Sequence, residues 1–194
     1  MPKTETLKDG TKIIIRELTL QDINPLMKFY LELPGDDRKY LRVDVTDRDT
    51  VEQRARRIEQ GRVTRFIALH GDKIIADAEL ELSAEDWRRN QGELRVIVAK
   101  PFQHKGVGMI LMKELYSLAL QKKVETVIVK MMRPQTAAHK LCHKMGFHEE
   151  MVIPDYVLDQ NGETQDLIIM KSNIKDLLQE MEHFFTDTDW QRCQ

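Results

Sequence analysis

The sequence predicts a mixed α/β (α+β) fold, a central sheet with helices on both faces. Three observations carry this expectation. Residues 65–69 and 74–82 are apolar or alternating and are separated by His70-Gly71-Asp72, a hairpin signal. Residues 93–130 pass from a strand through a long apolar-periodic helix into a short β-branched strand, a crossover. Strand-like segments at 151–158 and 166–171 flank Asn161-Gly162, a favoured hairpin turn. Hairpins together with one crossover imply a sheet of mixed direction.

The elements follow in order. Residues 12–18, KIIIREL, bounded by Asp9-Gly10, read as the first strand. Ile23, Leu26, Met27, Tyr30 and Leu31 recur at helical spacing, with Thr19 or Asp22 as cap and Pro34-Gly35 as stop. A second helix is expected at about 49–60, capped by Asp49 or Thr50 and closed by Gly61. The 65–82 hairpin and a strand over 93–99 come next. A helix then runs from Gly106 to about Lys122, carrying Ile110, Leu111, Leu115, Leu118 and Ala119. Residues 126–130 form a strand, 135–145 a helix stopped by Gly146, and two last strands close the order β-α-α-β-β-β-α-β-α-β-β. Residues 174–185 are amphipathic through Ile174, Leu177, Leu178, Met181 and Phe184 and read as a helix that docks on the domain or on a second subunit.

At 194 residues the chain fits one domain against a prior of ~150. Such a length buries roughly 70% of its unfolded surface and needs neither disulfide nor metal. Thirty Lys and Arg against 32 Asp and Glu, a net charge of -2, argue against a general nucleic-acid binder. Two cysteines, Cys142 and Cys193, are too few for a disulfide framework. With no apolar signal segment at the N-terminus and no run near the ~20 apolar residues of a membrane span, a cytoplasmic protein is expected.

The most informative segment is 93–109, ELRVIVAKPFQHKGVGM. A strand leads into Gln103-His104-Lys105-Gly106-Val107-Gly108, and a helix opens at once. Glycines there let backbone approach a ligand. The unpaired N–H groups of the first helical turn and the helix dipole make an anion site suited to a pyrophosphate. Lys105 adds a positive charge. The pattern is neither a Walker loop, since no Gly-Lys-Ser/Thr is present, nor the dinucleotide fingerprint, since the third glycine is missing.

Gln103-x-x-Gly106-x-Gly108, after a strand and opening a helix, resembles the acyl-CoA signature of the GNAT N-acetyltransferase superfamily. A second block agrees: Ala138 to Phe147, AHKLCHKMGF, resembles the family's A-x-x-L-Y-x-K-x-G-F helix and its exit. The resemblance spans about residues 12–171. It implies a mostly antiparallel GNAT sheet, a catalytic acyl-CoA-binding domain over 1–171 and an appended amphipathic helix and tail over 172–194. It implies acetyl-CoA as cosubstrate. Ile97 and Val98 would pair with the pantetheine arm through backbone groups. The amides of Gln103, His104, Lys105, Gly106, Val107, Gly108 and Met109 would hold the pyrophosphate.

Transfer to an amine requires that the amine lose a proton, since a lysine amine of pKa ~10.4 is mostly protonated at neutral pH. A general base solves this. Glu93, ten residues before Gln103, matches a position where GNAT protein-lysine acetyltransferases place a catalytic Glu; a solvated glutamate at a strand end is the bland alternative. The family's general-acid Tyr is replaced by Cys142, read as a small buried thiol. Tyr156 is a remote substitute.

Asp77, Glu79 and Glu81 alternate on one strand face, where they attract a cationic acceptor or, as more often, form a solvated face paired with cations such as Arg95. Asp36 and Asp37 lie where the family lines its acceptor groove. Asp37-Arg38-Lys39-Tyr40-Leu41-Arg42 partly resembles a YLRF-like segment of bacterial protein-lysine acetyltransferases, departing at Val43. His139 and His143 stand four apart, but no third ligand completes a metal site. Trp87-Arg88-Arg89 has no functional account. The reading is an acetyl-CoA-dependent N-acetyltransferase acting on a protein lysine or a small polyamine-like amine, as a monomer or homodimer, without nucleic acid, membrane or metal. A non-catalytic acyl-CoA sensor is the alternative.

Overall fold

The computed structural model describes residues 2–174. The expected helix over 174–185 and the tail to 194 therefore lie outside the described residues beyond Ile174. Thirteen elements follow one another: β1 Lys3–Thr6, β2 Lys12–Glu17, α1 Ile23–Glu32, α2 Gly35–Arg38, α3 Arg48–Arg56, β3 Val63–His70, β4 Lys73–Leu82, β5 Gln91–Val98, α4 Val107–Gln121, β6 Thr126–Met132, α5 Thr136–Lys144, β7 His148–Leu158 and β8 Thr164–Asn173. The strands form one eight-stranded sheet in the order β1-β2-β3-β4-β5-β6-β8-β7. Neighbours are antiparallel except β5 and β6, which run parallel because α4 carries the chain across between them.

Three local details depart from expectation. β1 is an additional edge strand; its sequence KTET carries no apolar alternation and lies exposed, so nothing in it announces a strand. It pairs with β2 around Gly10, whose φ of +82° suits glycine. Pro34 stops α1 and then opens the single turn of α2, since proline is well tolerated where no N–H is needed. α3 is capped by Asp47, which accepts from the Thr50 N–H at 2.9 Å, two residues before the expected cap.

Alternation in β4 splits the core in two. Ala76, Ala78 and Leu80 face α4 and α5, packing with Leu94, Leu111, Leu115, Tyr116 and Phe147. On the opposite face α1 and α3 contribute Leu26, Phe29, Tyr30, Val51 and Ala55 over Ile67. That second face also carries Asp77 and Glu79, and both are buried. The stripe that reads as a solvated, substrate-attracting surface is thus roofed by α1 and α3. Arg65 on β3 donates to Asp77 at 2.6 and 3.1 Å and to the Tyr30 hydroxyl at 2.7 Å, and Tyr30 donates to Asp77 at 2.7 Å. Arg54 and Arg95 close on Glu79 at 3.1 and 2.9 Å, and Arg57 pairs with Glu81. The expected partner Arg95 is present; Arg54 comes from α3 and Arg57 from the 3-10 turn that follows it.

Burial opposes ionisation of Asp77, but the Arg65 guanidinium, with Arg95, outweighs it and holds the carboxyl below the usual range. A depressed folded pKa stabilises the fold above the unfolded value near 3.9 and is lost as pH falls through the folded value. The pair therefore contributes fully at neutral pH. Asp77→Asn leaves Arg65 buried with a weakened partner and should lower unfolding stability by about 3–5 kcal/mol in urea titrations at pH 7. Arg65→Met with Asp77→Leu, which removes both charges, should cost clearly less; an equal loss in both variants would contradict the ion-pair account.

Candidate active site

β5 and β6 pair only over Gln91–Glu93 against Thr126–Ile128. Beyond that point β5 stays with β4 to Val98 and β6 stays with β8 to Met132. A cleft therefore opens inside the sheet, and Glu93 stands at its apex.

The hydrogen-bond parity decides which groups face the cleft. Ser83 N–H donates to Gln91 C=O and Ala99 N–H to Ile75 C=O, so odd positions of β5 address β4. Thr126 N–H donates to Asn90 C=O, so even positions address β6. Val96 and Val98 consequently turn their backbone groups into the cleft. Ile97 turns its own toward Asp77 in β4, and its side chain packs on the α1–α3 side. Ile97, expected to offer backbone to a ligand, is turned away from the cleft by this parity, and Val96 faces it instead. The Val98 carbonyl already accepts from Gln103 Nε2 at 3.0 Å, so the Gln103 side chain ties the turn to the strand.

Past β5 a short 3-10 turn over Lys100–Phe102 leads to the glycine turn. His104 and Gly106 have φ of +61° and +99°. Ile110 N–H closes on Gly106 C=O at 3.0 Å as the first α4 bond, which leaves the N–H groups of Val107, Gly108 and Met109 at the helix start. No acidic residue stands in that first turn. A Cβ on Gly108 would meet Leu141 Cδ2 at 3.3 Å and Val98 Cγ2 at 3.9 Å, so this glycine lets α4, α5 and β5 converge below the turn. Lys105 is less available than its sequence position suggests: its Nζ lies 2.9 Å from Asp9 in the β1–β2 turn and over the Phe102 ring. The hydrogen bond from Lys105 holds the Asp9 carboxyl well below the usual range.

At the cleft apex Glu93 is mostly buried and paired on both sides. Lys130 Nζ, from the far wall on β6, is 2.9 Å away. Arg42, from the segment after α2, pairs through Nη1 and donates from Nη2 to the Lys130 carbonyl at 3.4 Å. Burial pushes the Glu93 carboxyl up, but Arg42 and Lys130 outweigh it and hold it below the ordinary glutamate value. The Arg42 segment is itself anchored: Gln160, in the β7–β8 turn, donates its N–H to Lys39 C=O at 2.8 Å and its Nε2 to Leu41 C=O at 2.9 Å. Neither Arg42 nor Lys130 was singled out for a role at Glu93. They lie 51 and 37 positions away, beyond any local pattern.

Cys142 is buried on α5, and burial pushes its thiol up to about 12, so it is no nucleophile at neutral pH. The Tyr116 hydroxyl is buried without a hydrogen-bond partner, and burial, with the nearby Cys142, pushes it far up. Tyr156 is exposed on β7, the edge strand. Asp36 and Asp37 stand in α2, and His139 packs edge-on against His143 while approaching Glu149 at 3.3 Å. No described helix is long and apolar enough to cross a membrane.

The model of the acetyltransferase (GNAT) family matches residues 27–147. The fold resembles an acetyltransferase of the GNAT family from Streptococcus pneumoniae (18% identity, TM-score 0.71), covering 83% of this chain and 99% of that one. It resembles the GNAT domain of S. lividans PAT (15% identity, TM-score 0.75), with 89% and 96% covered. It also resembles yncA of Salmonella typhimurium, solved with its cofactor acetyl-CoA (18% identity, TM-score 0.71), with 84% and 94% covered. At these identities the likeness concerns the fold. No curated protein matches the sequence.

The glycine turn is testable without any acceptor. Gly106→Val places a β-branched residue at a φ of +99° and should cost about 1–2 kcal/mol in unfolding experiments. By tilting the N–H groups that follow, it should also weaken coenzyme A binding, measured by calorimetry, at least about tenfold. Unchanged affinity would remove the turn from the site.

Proposed function

The chain belongs to the GNAT acetyltransferase family, and on that premise we propose that it moves the acetyl group of acetyl-CoA to a primary amine with Glu93 as general base. The observation that carries this reading is the position of Glu93 at the apex of the β5–β6 cleft, on the α1–α3 face. The residues present fit the family's donor. Val96 and the Val98 N–H offer strand edge beyond the last β5–β6 pair, and the α4 N-terminus offers N–H groups from Val107, Gly108 and Met109, joined by the backbone of Gln103, His104, Lys105 and Gly106. A strand edge without a strand partner suits the amides of a pantetheine arm, and the glycine turn suits a pyrophosphate.

Acetyl-CoA supplies an activated acyl carbon and a thiol leaving group. As the acceptor nitrogen bonds to that carbon it becomes acidic, and the Glu93 carboxylate takes its proton. The N–H groups at Val96 and Val98 can polarise the carbonyl oxygen. A thiol with a pKa near ~8.5 leaves without full protonation, so Cys142 in place of the family's Tyr is compatible with turnover.

The acidic stripe on β4 offered one attraction for a cationic acceptor of either expected kind, lysine or polyamine-like. Asp77, Glu79 and Glu81 are instead satisfied by Arg65, Arg54, Arg95 and Arg57, which removes that support.

Glu93→Gln keeps the side-chain shape and removes the basic group. It should lower kcat/KM for the amine by about 10²–10⁴-fold while acetyl-CoA binding stays within about twofold. Because the Glu93 carboxyl is held below its ordinary value, it stays ionised across neutral pH. Activity should therefore rise with pH as the acceptor amine deprotonates, and any acid limb due to Glu93 should lie below about pH 4.3. Saturable acetyl-CoA binding with no amine-dependent thiol release, in wild type and variant alike, would favour the sensor reading.

A further inference from the structure

The cationic groups around the cleft outnumber what its carboxylates need. Along the sheet face that carries Glu93, Arg65, Arg54 and Arg95 share Asp77 and Glu79, while Arg42 and Lys130 share Glu93. With the Arg57–Glu81 pair beside them, these two neighbouring groups hold six cations against four carboxylates. Their inner members are sealed: Arg65, Asp77 and Glu79 are buried beneath α1 and α3. The excess is expressed at the accessible end, where Arg42 and Lys130 are 36% and 35% exposed and Glu93 only 18%. Arg95, two residues from Glu93 on the same strand face, keeps a buried Nε with no hydrogen-bond partner.

Arg42 is the group placed to answer this imbalance. It sits on the segment held down by Gln160, so its backbone is anchored while its head reaches Glu93 and the Lys130 carbonyl. A guanidinium has five N–H donors in a planar fork that matches a carboxylate two-to-two. While it rests on Glu93, Arg42 is a counter-ion of the base.

We propose that the acceptor is a small amino carboxylic acid, whose carboxylate is received by Arg42 and whose amine is presented to Glu93. This rests on the reading of Glu93 as the base. Because Arg42 contacts Glu93 directly, an acceptor bridging the two must carry its amine and its carboxylate within a few bond lengths of each other, as an α- or β-amino acid does. Drawing Arg42 onto the acceptor also removes a counter-ion from Glu93 and leaves an oxygen free for the amine proton. Recognition of the anion and release of the base are then one event. A polyamine brings no anion to take Arg42, and a lysine side chain in a peptide carries its nearest backbone carbonyl too far away and uncharged.

The test is amine-dependent thiol release from acetyl-CoA by the full chain, with product masses. The acceptors are α- and β-amino acids, each as free acid and as primary amide, and a lysine peptide blocked at both ends. The expected result is a kcat/KM at least about tenfold higher for acids than for their amides, although the amides have the less basic amine. Arg42→Gln should shrink that ratio toward one, and Arg42→Lys, which keeps the charge without the fork, should restore part of it. Amides or the blocked peptide matching the acids would overturn the acceptor class, as would a ratio unchanged in Arg42→Gln. In those cases Glu93→Gln, assayed on whichever acceptor is active, reports separately on the base. No thiol release with any acceptor would overturn both readings together.

Discussion

The constraint on which the rest of this structure depends is the parting of β5 from β6 after Glu93. Interrupting a sheet in its middle leaves backbone N–H and C=O groups without strand partners, an arrangement that proteins rarely leave unanswered. Here both walls are held by their outer neighbours, β4 and β8, so the cleft is kept open by the sheet itself. The single parallel pair among the described residues is also the place where the chain must cross over, and the crossover helix begins at the mouth of the cleft. One topological event therefore supplies an unpaired strand edge and a helix N-terminus side by side, which are the two backbone devices an extended, anionic cosubstrate requires.

Holding the walls apart calls for stiffness beneath them. The face below α1 and α3 provides it with a bridged set of charges from β3, β4, β5 and α3, in which every carboxylate meets at least one guanidinium. Such a network stabilises little over a well-packed apolar core, but it is unforgiving of misplacement, because any member left alone is a buried charge. It fixes the register of β4 and β5 relative to α3. The orientation of Glu93 follows from that register, since Glu93, Arg95 and Ile97 stand opposite Glu81, Glu79 and Asp77.

What was legible in the sequence is what local rules govern. The hairpins, the crossover and the glycine turn are set by residues within a few positions of one another, so their spacing suffices. The signature segment reads as a strand carrying Glu93, and Glu93 lies on β5. What could not be read is long-range. Asp77, Glu79 and Glu81 alternate as a solvated face would, and only the roof of α1 and α3 makes two of them interior. Arg42 reads as the end of a YLRF-like segment, and its contact with Glu93 depends on where Gln160 anchors that segment. The shift from Ile97 to Val96 needed the hydrogen-bond parity, which one backbone bond at each end of β5 decides and side-chain patterns cannot supply.

Cys142 stands where the resembled family pattern carries a tyrosine, and the proposed reaction is compatible with that difference. A tyrosine at that position would bring a phenol from α5 toward the cleft, whereas the shorter thiol stays in the core beside Tyr116 and Phe147. Its raised pKa leaves it protonated and inert. A leaving thiolate tolerates the lack of an acid far better than an alkoxide would, because the thiol is already acidic enough to leave as an anion near neutral pH. The stringent demand falls on the other side of the reaction, on the proton of a basic amine, and that is where this chain concentrates its charges. Glu93, Arg42 and Lys130 come from three separate segments of the chain and meet at one point of the cleft. On the proposed reading of Glu93 as base, a site organised around the amine rather than the leaving group can do without the family's tyrosine.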